Sequence, residues 1–123
     1  MCSSDLYPDD YVKSSRWATN ARKWEASTGQ TKIWMATIMP GWDDRRSTCK
    51  TDIRVASAPH KKDRGDGAFY RATYSAAIAS SPDWVWINSF NEWVEGTYIE
   101  PSEKYGEQAM KLTREFTQQF KGR

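Results

Sequence analysis

The chain has 123 residues, with a hydrophobic fraction of 38% and a charged fraction of 28%, a balance of folded globular domains and unlike that of disordered or fibrous chains. Its formal net charge is only +2, with Lys and Arg scattered among Asp and Glu, which argues against a nucleic-acid surface; no apolar run approaches the roughly 20 residues of a membrane-crossing helix. The single histidine, His60, cannot build a His-based metal site or a Ser-His-Asp triad, and Cys2 and Cys49 lack metal or redox spacing, which removes those enzyme classes; no cofactor is assigned.

The opening residues Met1–Leu6 (MCSSDL) have neither the basic n-region nor the apolar core of a signal peptide. CSSDL is similar to the translation of a common sequencing adaptor, so residues 1–6 are expected to be non-native and the domain sequence to occupy 7–123. From Tyr11 to Ser27, residues Trp17, Ala21 and Trp24 recur at i, i+4 and i+7, which predicts a helix stopped by Gly29. Lys32–Met39 (KIWMATIM) is a short, nearly continuous apolar run bounded by Gly29 and Pro40-Gly41, the pattern of a strand buried on both faces. Pro40–Asp66 is charged and aperiodic, a long loop with a short extended stretch at Ile53–Ala56. Within it HKKDR (His60–Arg64) has the character of a solvated charge run.

Gly67–Ser80 predicts a second helix, with Phe69, Thr73, Ala76, Ala77 and Ile78 on one face and Pro82-Asp83 breaking it. Trp84–Phe90 is rich in aromatic and β-branched residues and predicts a second buried strand. A loop over Asn91–Pro101 follows. Ser102 is placed to cap a last helix, whose stripe is Tyr105, Ala109, Leu112, Phe116 and Phe120 and whose stop is Gly122. Strands alternating with helices imply an α/β fold of parallel βαβ units with right-handed crossovers. Two strands apolar on both faces need neighbours beyond those available here, so the chain has the character of a fragment of a larger α/β domain.

Both chemically informative stretches stand at the carboxyl ends of the predicted strands: PGWDDRR (Pro40–Arg46) and NEWVEG (Asn91–Gly96). Parallel α/β folds place their chemistry at those ends. The i, i+3 spacing of Glu92 and Glu95 lets two carboxylates face one cavity, as cleavage of a glycosidic bond requires; two such glutamates on a surface loop are otherwise ordinary solvated charges. Seven tryptophans and six tyrosines chiefly serve packing, but Trp42 and Trp93, near the candidate site, could stack on the apolar face of a sugar. Asp43 and Asp44 fit either turn chemistry after Pro-Gly or hydrogen bonding to sugar hydroxyls. Asn91 and Tyr98 complete the candidate substrate-binding set.

SFNEWVEGTYIEPS (Ser89–Ser102), with PDWVWI and DGAFYRATYSAAIAS before it and PGWDD earlier, resembles the terminal strand-and-loop signature of glycoside hydrolase family 99 and its relatives. Those include endo-α-mannosidases and family 99-like proteins attached to polysaccharide clusters. The resemblance covers essentially everything after Lys32. It implies a (β/α)8 TIM barrel, of which this chain is the C-terminal part from helix 6 to helix 8: two parallel strands with flanking helices, the remainder of the barrel lying outside the chain. It further implies a retaining hydrolase of α-linked glycans, mannosides among them, with a glycan substrate as its partner and no metal. Glu92 would act as base on the sugar 2-hydroxyl and Glu95 as acid and then base, through a 1,2-anhydro sugar. Where the family motif carries His or another polar or aromatic residue between Trp and the second Glu, this chain has Val94, which cannot hydrogen-bond to substrate. Two other functions are compatible with the same residues: a family 99-like protein of polysaccharide biosynthesis classed as a glycosyltransferase, and a module that binds sugar without turnover. The isolated chain is expected to be inactive.

Overall fold

The computed structural model describes residues 8–43 and 61–122, with side chains in the first helix described from Ala18 onward. Met1–Leu6 with Cys2, the side chain of Trp17, and Asp44, Cys49, Ile53–Ala56 and His60 lie outside the described residues. The described elements are helix α1 (Pro8–Thr28), strands β1 (Met35–Ile38), β2 (Trp42–Asp43) and β3 (Lys61–Lys62), helix α2 (Ala68–Ala79), strand β4 (Trp84–Ile87) and helix α3 (Gln108–Lys121). No helix among them is long and apolar enough to cross a membrane.

The two apolar runs do pair, and they pair in parallel, with Met35 opposite Trp84, Ala36 opposite Val85, Thr37 opposite Trp86 and Ile38 opposite Ile87. Alternation sends Ala36 and Ile38 to one face, where they meet Tyr70, Tyr74 and Ala77 of α2, Ile99, and Ala109, Leu112 and Phe116 of α3, with Val85 and Ile87 packed alongside. Aromatic rings join the two helices: Phe116 stacks on Tyr74 at 4.1 Å and 6° and meets Tyr70 edge-on at 5.0 Å. The tyrosine hydroxyls do not bury a polar penalty, because Tyr74 donates to the Phe116 carbonyl (3.1 Å) and Tyr70 shares a hydrogen bond with Thr113 (3.0 Å). Thr73, also fully buried, donates to the carbonyls of Met39 and Tyr70.

Burial on both faces of the sheet is not what the structure shows. The opposite face carries Met35, Trp84 and Trp86, the two tryptophans being 60% and 56% exposed. The physical reason is that α2 and α3 both lie on one side of a sheet of two strands. Both strands are also shorter than their apolar runs: β1 starts at Met35, three residues into its run, and β4 ends at Ile87, three residues before Phe90.

Further boundaries shift. Helix α1 does end before Gly29, whose φ of +70° suits a C-terminal stop. Trp24, one of the residues at helical spacing, is exposed, with the Lys32 ammonium 4.0 Å from its ring centroid, and among the described side chains of α1 it is Ala18 that is buried. The loop after β1 is not irregular throughout, since Trp42 pairs with Lys62 and Asp43 with Lys61 in an antiparallel ladder. Ser102 does not cap α3: its hydroxyl accepts the Tyr105 amide (3.1 Å) and its backbone bridges to Gly106, closing a separate turn. Helix α3 starts only at Gln108, so Tyr105 lies outside it, while Gly122 ends it as expected.

Candidate active site

The loop after β4 is built by backbone pairing rather than left to chance. Asn88 donates to the Ile38 carbonyl (2.9 Å), tying the end of β4 to the end of β1. Ser89 then donates to Thr97 (3.0 Å), Ile99 donates back to Ser89 (3.0 Å), and Glu100 donates to Phe90 (2.9 Å). Residues 91–96 are therefore the tip of a folded-back excursion with a closed base. The Ser89 hydroxyl fastens the base twice, against Thr97 Oγ1 (2.9 Å) and by accepting the amide of Glu92 (3.0 Å). Gly96 donates to the Trp93 carbonyl (3.2 Å), so Trp93–Gly96 is a tight turn, and its φ of +70° is one that glycine tolerates without strain.

The tip leans on the loop that follows β1. The Asp43 amide donates to the Glu95 carbonyl at 2.8 Å, and a Cβ on Gly96 would stand 2.8 Å from that same Asp43 nitrogen. Glycine is required here by close approach as well as by conformation. Arg64, only 6% exposed, completes the junction: its Nη2 donates to the carbonyls of Gly96 (3.0 Å) and Tyr98 (2.7 Å). The guanidinium carbon lies 4.6 Å over the Tyr98 ring and 4.0 Å over the Tyr105 ring. Loss of hydration lowers its pKa from the ordinary arginine value, and the carbonyls and aromatic faces offset that loss.

Between the two loops lies a groove of about 800 Å³, walled by Trp42, Asp43, Lys62, Trp93, Tyr98 and Lys104 among others. Four of the anticipated residues, Trp42, Asp43, Trp93 and Tyr98, are thus brought together. Trp93 is 48% exposed, stacks on Tyr98 at 4.0 Å and 20°, and donates through Nε1 to Glu100 (2.8 Å). A ring fixed in this way can present apolar surface to a pyranose. Trp42 cannot do so as anticipated: it is 3% exposed, edge-on to Phe69 at 6.2 Å and clustered with Met39, so it supports the wall as a packing ring. Tyr98, buried beneath Trp93 and Arg64, is likewise a support. Asn91 and Glu92 are exposed on the tip and Glu95 is half-buried there; these three are not among the groove walls. Among the described residues, no three His, Cys, Asp or Glu side chains cluster so as to hold a metal ion.

Arg64 is the site residue that sequence reasoning missed. It sits in what looked like a solvated charge run, and its neighbours Lys61 and Asp63 do form an exposed ion pair (3.1 Å). Ser89 and Thr97, which close the base of the loop, carried no signal beyond membership of the motif.

Parallel strands send both following loops to one aromatic-walled groove at their carboxyl ends, the place where parallel α/β folds carry their sites. A family model described as glycosyl hydrolase family 99 matches residues 9–114, and this chain belongs to that family. Over 68 residues it is 37% identical to a glycoprotein endo-alpha-1,2-mannosidase of Rattus norvegicus, a match covering 55% of this chain and 13% of that protein. Over 61 residues it is 38% identical to a glycoprotein endo-alpha-1,2-mannosidase-like protein of Danio rerio, covering 50% of this chain and 12% of that one. Its structure is similar to that of a family 99 endo-alpha-mannosidase from Bacteroides thetaiotaomicron in complex with bis-tris-propane, with a TM-score of 0.68 and 27% sequence identity, covering 89% of this chain and 36% of the other. The chain thus spans about 13% of the length of the rat relative it matches.

Proposed function

We propose that this chain supplies the last two βα units of a (β/α)8 barrel that hydrolyses α-linked glycans, α-1,2-mannosides foremost, with retention of configuration. Glu92 takes the proton of the sugar 2-hydroxyl as O2 attacks the anomeric carbon, and Glu95 gives its proton to the departing glycosidic oxygen. The resulting 1,2-anhydro sugar is opened at its anomeric carbon by water, from which Glu95 now removes a proton while Glu92 returns its own to O2. The strongest support is the family match across residues 9–114 together with the pinned tip: Glu92 is held by its amide on Ser89 and Glu95 by its carbonyl on Asp43. Positioning of this kind is what general acid–base catalysis requires of its groups. Trp93 offers the neighbouring sugar a stacking surface. Val94, exposed on the groove wall, leaves that wall without a hydrogen-bonding group at its position and favours a substrate held there by apolar contact.

The isolated chain is inactive on this view, because the sheet face carrying Met35, Trp84 and Trp86 is bare and a barrel interior is filled by layers from alternate strands. The test is a chimera in which residues 9–114 replace the matching segment of the Bacteroides enzyme, assayed for release of sugar from an α-1,2-mannoside. Hydrolysis should persist, and Glu92→Gln and Glu95→Gln should each lower kcat by about 10²–10⁴-fold while binding survives. Unchanged turnover in both variants would refute the assignment.

A further inference from the structure

We propose that Arg64 is a positioning residue for the acid–base pair: its buried guanidinium holds the Trp93–Gly96 turn against β2 and thereby sets where the Glu95 carboxylate lies. This rests on the reading of Glu92 and Glu95 as that pair. Arg64 is itself anchored, since its carbonyl accepts the amides of Gly67 (3.0 Å) and Phe69 (3.2 Å) at the start of α2. The side chain therefore projects from a rigid helix end rather than from a free loop. Its path passes Gly41, where an added Cβ would stand 2.9 Å from Arg64 Cγ; the missing side chain at position 41 is what admits the stem.

The two carbonyls it binds belong to Gly96 and Tyr98, the first and third residues after Glu95. Ser89 holds the tip from its N-terminal side through the Glu92 amide, and Arg64 holds it from the C-terminal side. Tyr98 and Tyr105, over whose rings the guanidinium lies, demand a planar group, which distinguishes arginine from lysine here. A purely local packing role would need only the stem; the carbonyl contacts link the charge to the backbone that carries Glu95.

The first experiment uses the 123-residue chain and amide hydrogen exchange. In Arg64→Met, exchange at Asp43 and Gly96 should accelerate about tenfold or more, as expected for loss of charge-assisted hydrogen bonds. Arg64→Lys keeps the charge and should give a smaller acceleration at the same two amides. Amides within α3 should be unaffected in both. Unaltered exchange at Asp43 and Gly96, or equal acceleration throughout α3 in both variants, would overturn the proposal. The second experiment places Arg64→Lys in the barrel chimera, where kcat should fall about tenfold or more with KM little changed, because misplacement by a fraction of an ångström acts on the reacting geometry. An unchanged kcat, with Glu92→Gln and Glu95→Gln inactive, would overturn the role of Arg64 alone. An active Glu95→Gln would overturn the acid–base reading and this role with it, while leaving the exchange result intact.

Discussion

Gly29 and Gly96 share the same φ of +70°, yet replacing them with alanine should have different consequences. A side chain in the left-handed region costs roughly 1–2 kcal/mol at either position. Around Gly29 nothing lies within 4 Å of the added Cβ, whereas at Gly96 the Cβ would stand 2.8 Å from the Asp43 nitrogen and 3.4 Å from Asp43 Cβ. The nearest of these atoms is backbone, which cannot rotate aside, so the tip and β2 must separate. Separation breaks the Asp43–Glu95 hydrogen bond (2.8 Å), which adds about 0.5–1.5 kcal/mol. Gly96→Ala should therefore destabilise by roughly 1.5–3.5 kcal/mol against roughly 1–2 for Gly29→Ala. Equilibrium urea unfolding at a common m-value measures both. Gly106→Ala is a second control, because its φ is +53° and its surroundings are open. If Gly96→Ala proves no more damaging than these two, the close approach of the loops is not a source of stability.

Tyr70 is buried and its hydroxyl pKa is pushed up from 10.0 to about 12, chiefly by loss of hydration. The unfolded chain therefore releases this proton first as pH rises, so stability complete below pH 10 should decline between 10 and about 12. Tyr70→Phe should remove that alkaline slope, read from unfolding curves across the range, while sacrificing the bond to Thr113. Asp83 has the opposite sign: the Trp34 amide and then Arg22 hold its carboxyl below the ordinary aspartate value of 3.8. Its contribution is present above that value and fades as pH falls below it, so Asp83→Asn should flatten the acid limb of stability measured by the same titration.

The elements that sequence revealed are those decided by local pattern. KIWMATIM and the run from Trp84 are apolar segments bounded by Gly and Pro, and alternation with helices made parallel pairing the simple expectation; Met35 opposite Trp84 bears it out. The face of the sheet that stays bare could not be told from the face that is covered, because both carry large apolar side chains. Ser102 has the chemistry of a helix cap and does accept a backbone amide, from Tyr105. The helix is delayed because Gly106, at φ +53°, bends the chain into a turn first. Trp42 looked like a sugar platform by residue type and neighbourhood; Phe69, distant in sequence, decides that its ring is covered.

Arg64 shows most clearly why a charge run conceals an anchor. Lys61 and Asp63 beside it keep their charges in water and satisfy each other, which is the ordinary fate of such residues. Arg64 differs because the carbonyls of Gly96 and Tyr98, 32 and 34 positions away, converge on it, because the Tyr98 and Tyr105 rings lie against its guanidinium, and because Gly41 leaves its stem a path. None of these partners is unusual alone. Their convergence depends on β1 and β4 being adjacent and parallel, so that the loops leaving their carboxyl ends meet. The loop bearing Glu92 and Glu95 is consequently held by contacts that only the assembled βαβ unit creates, and a peptide spanning Ser89–Ser102 alone would lack the two contacts, from Asp43 and Arg64, that fix its tip.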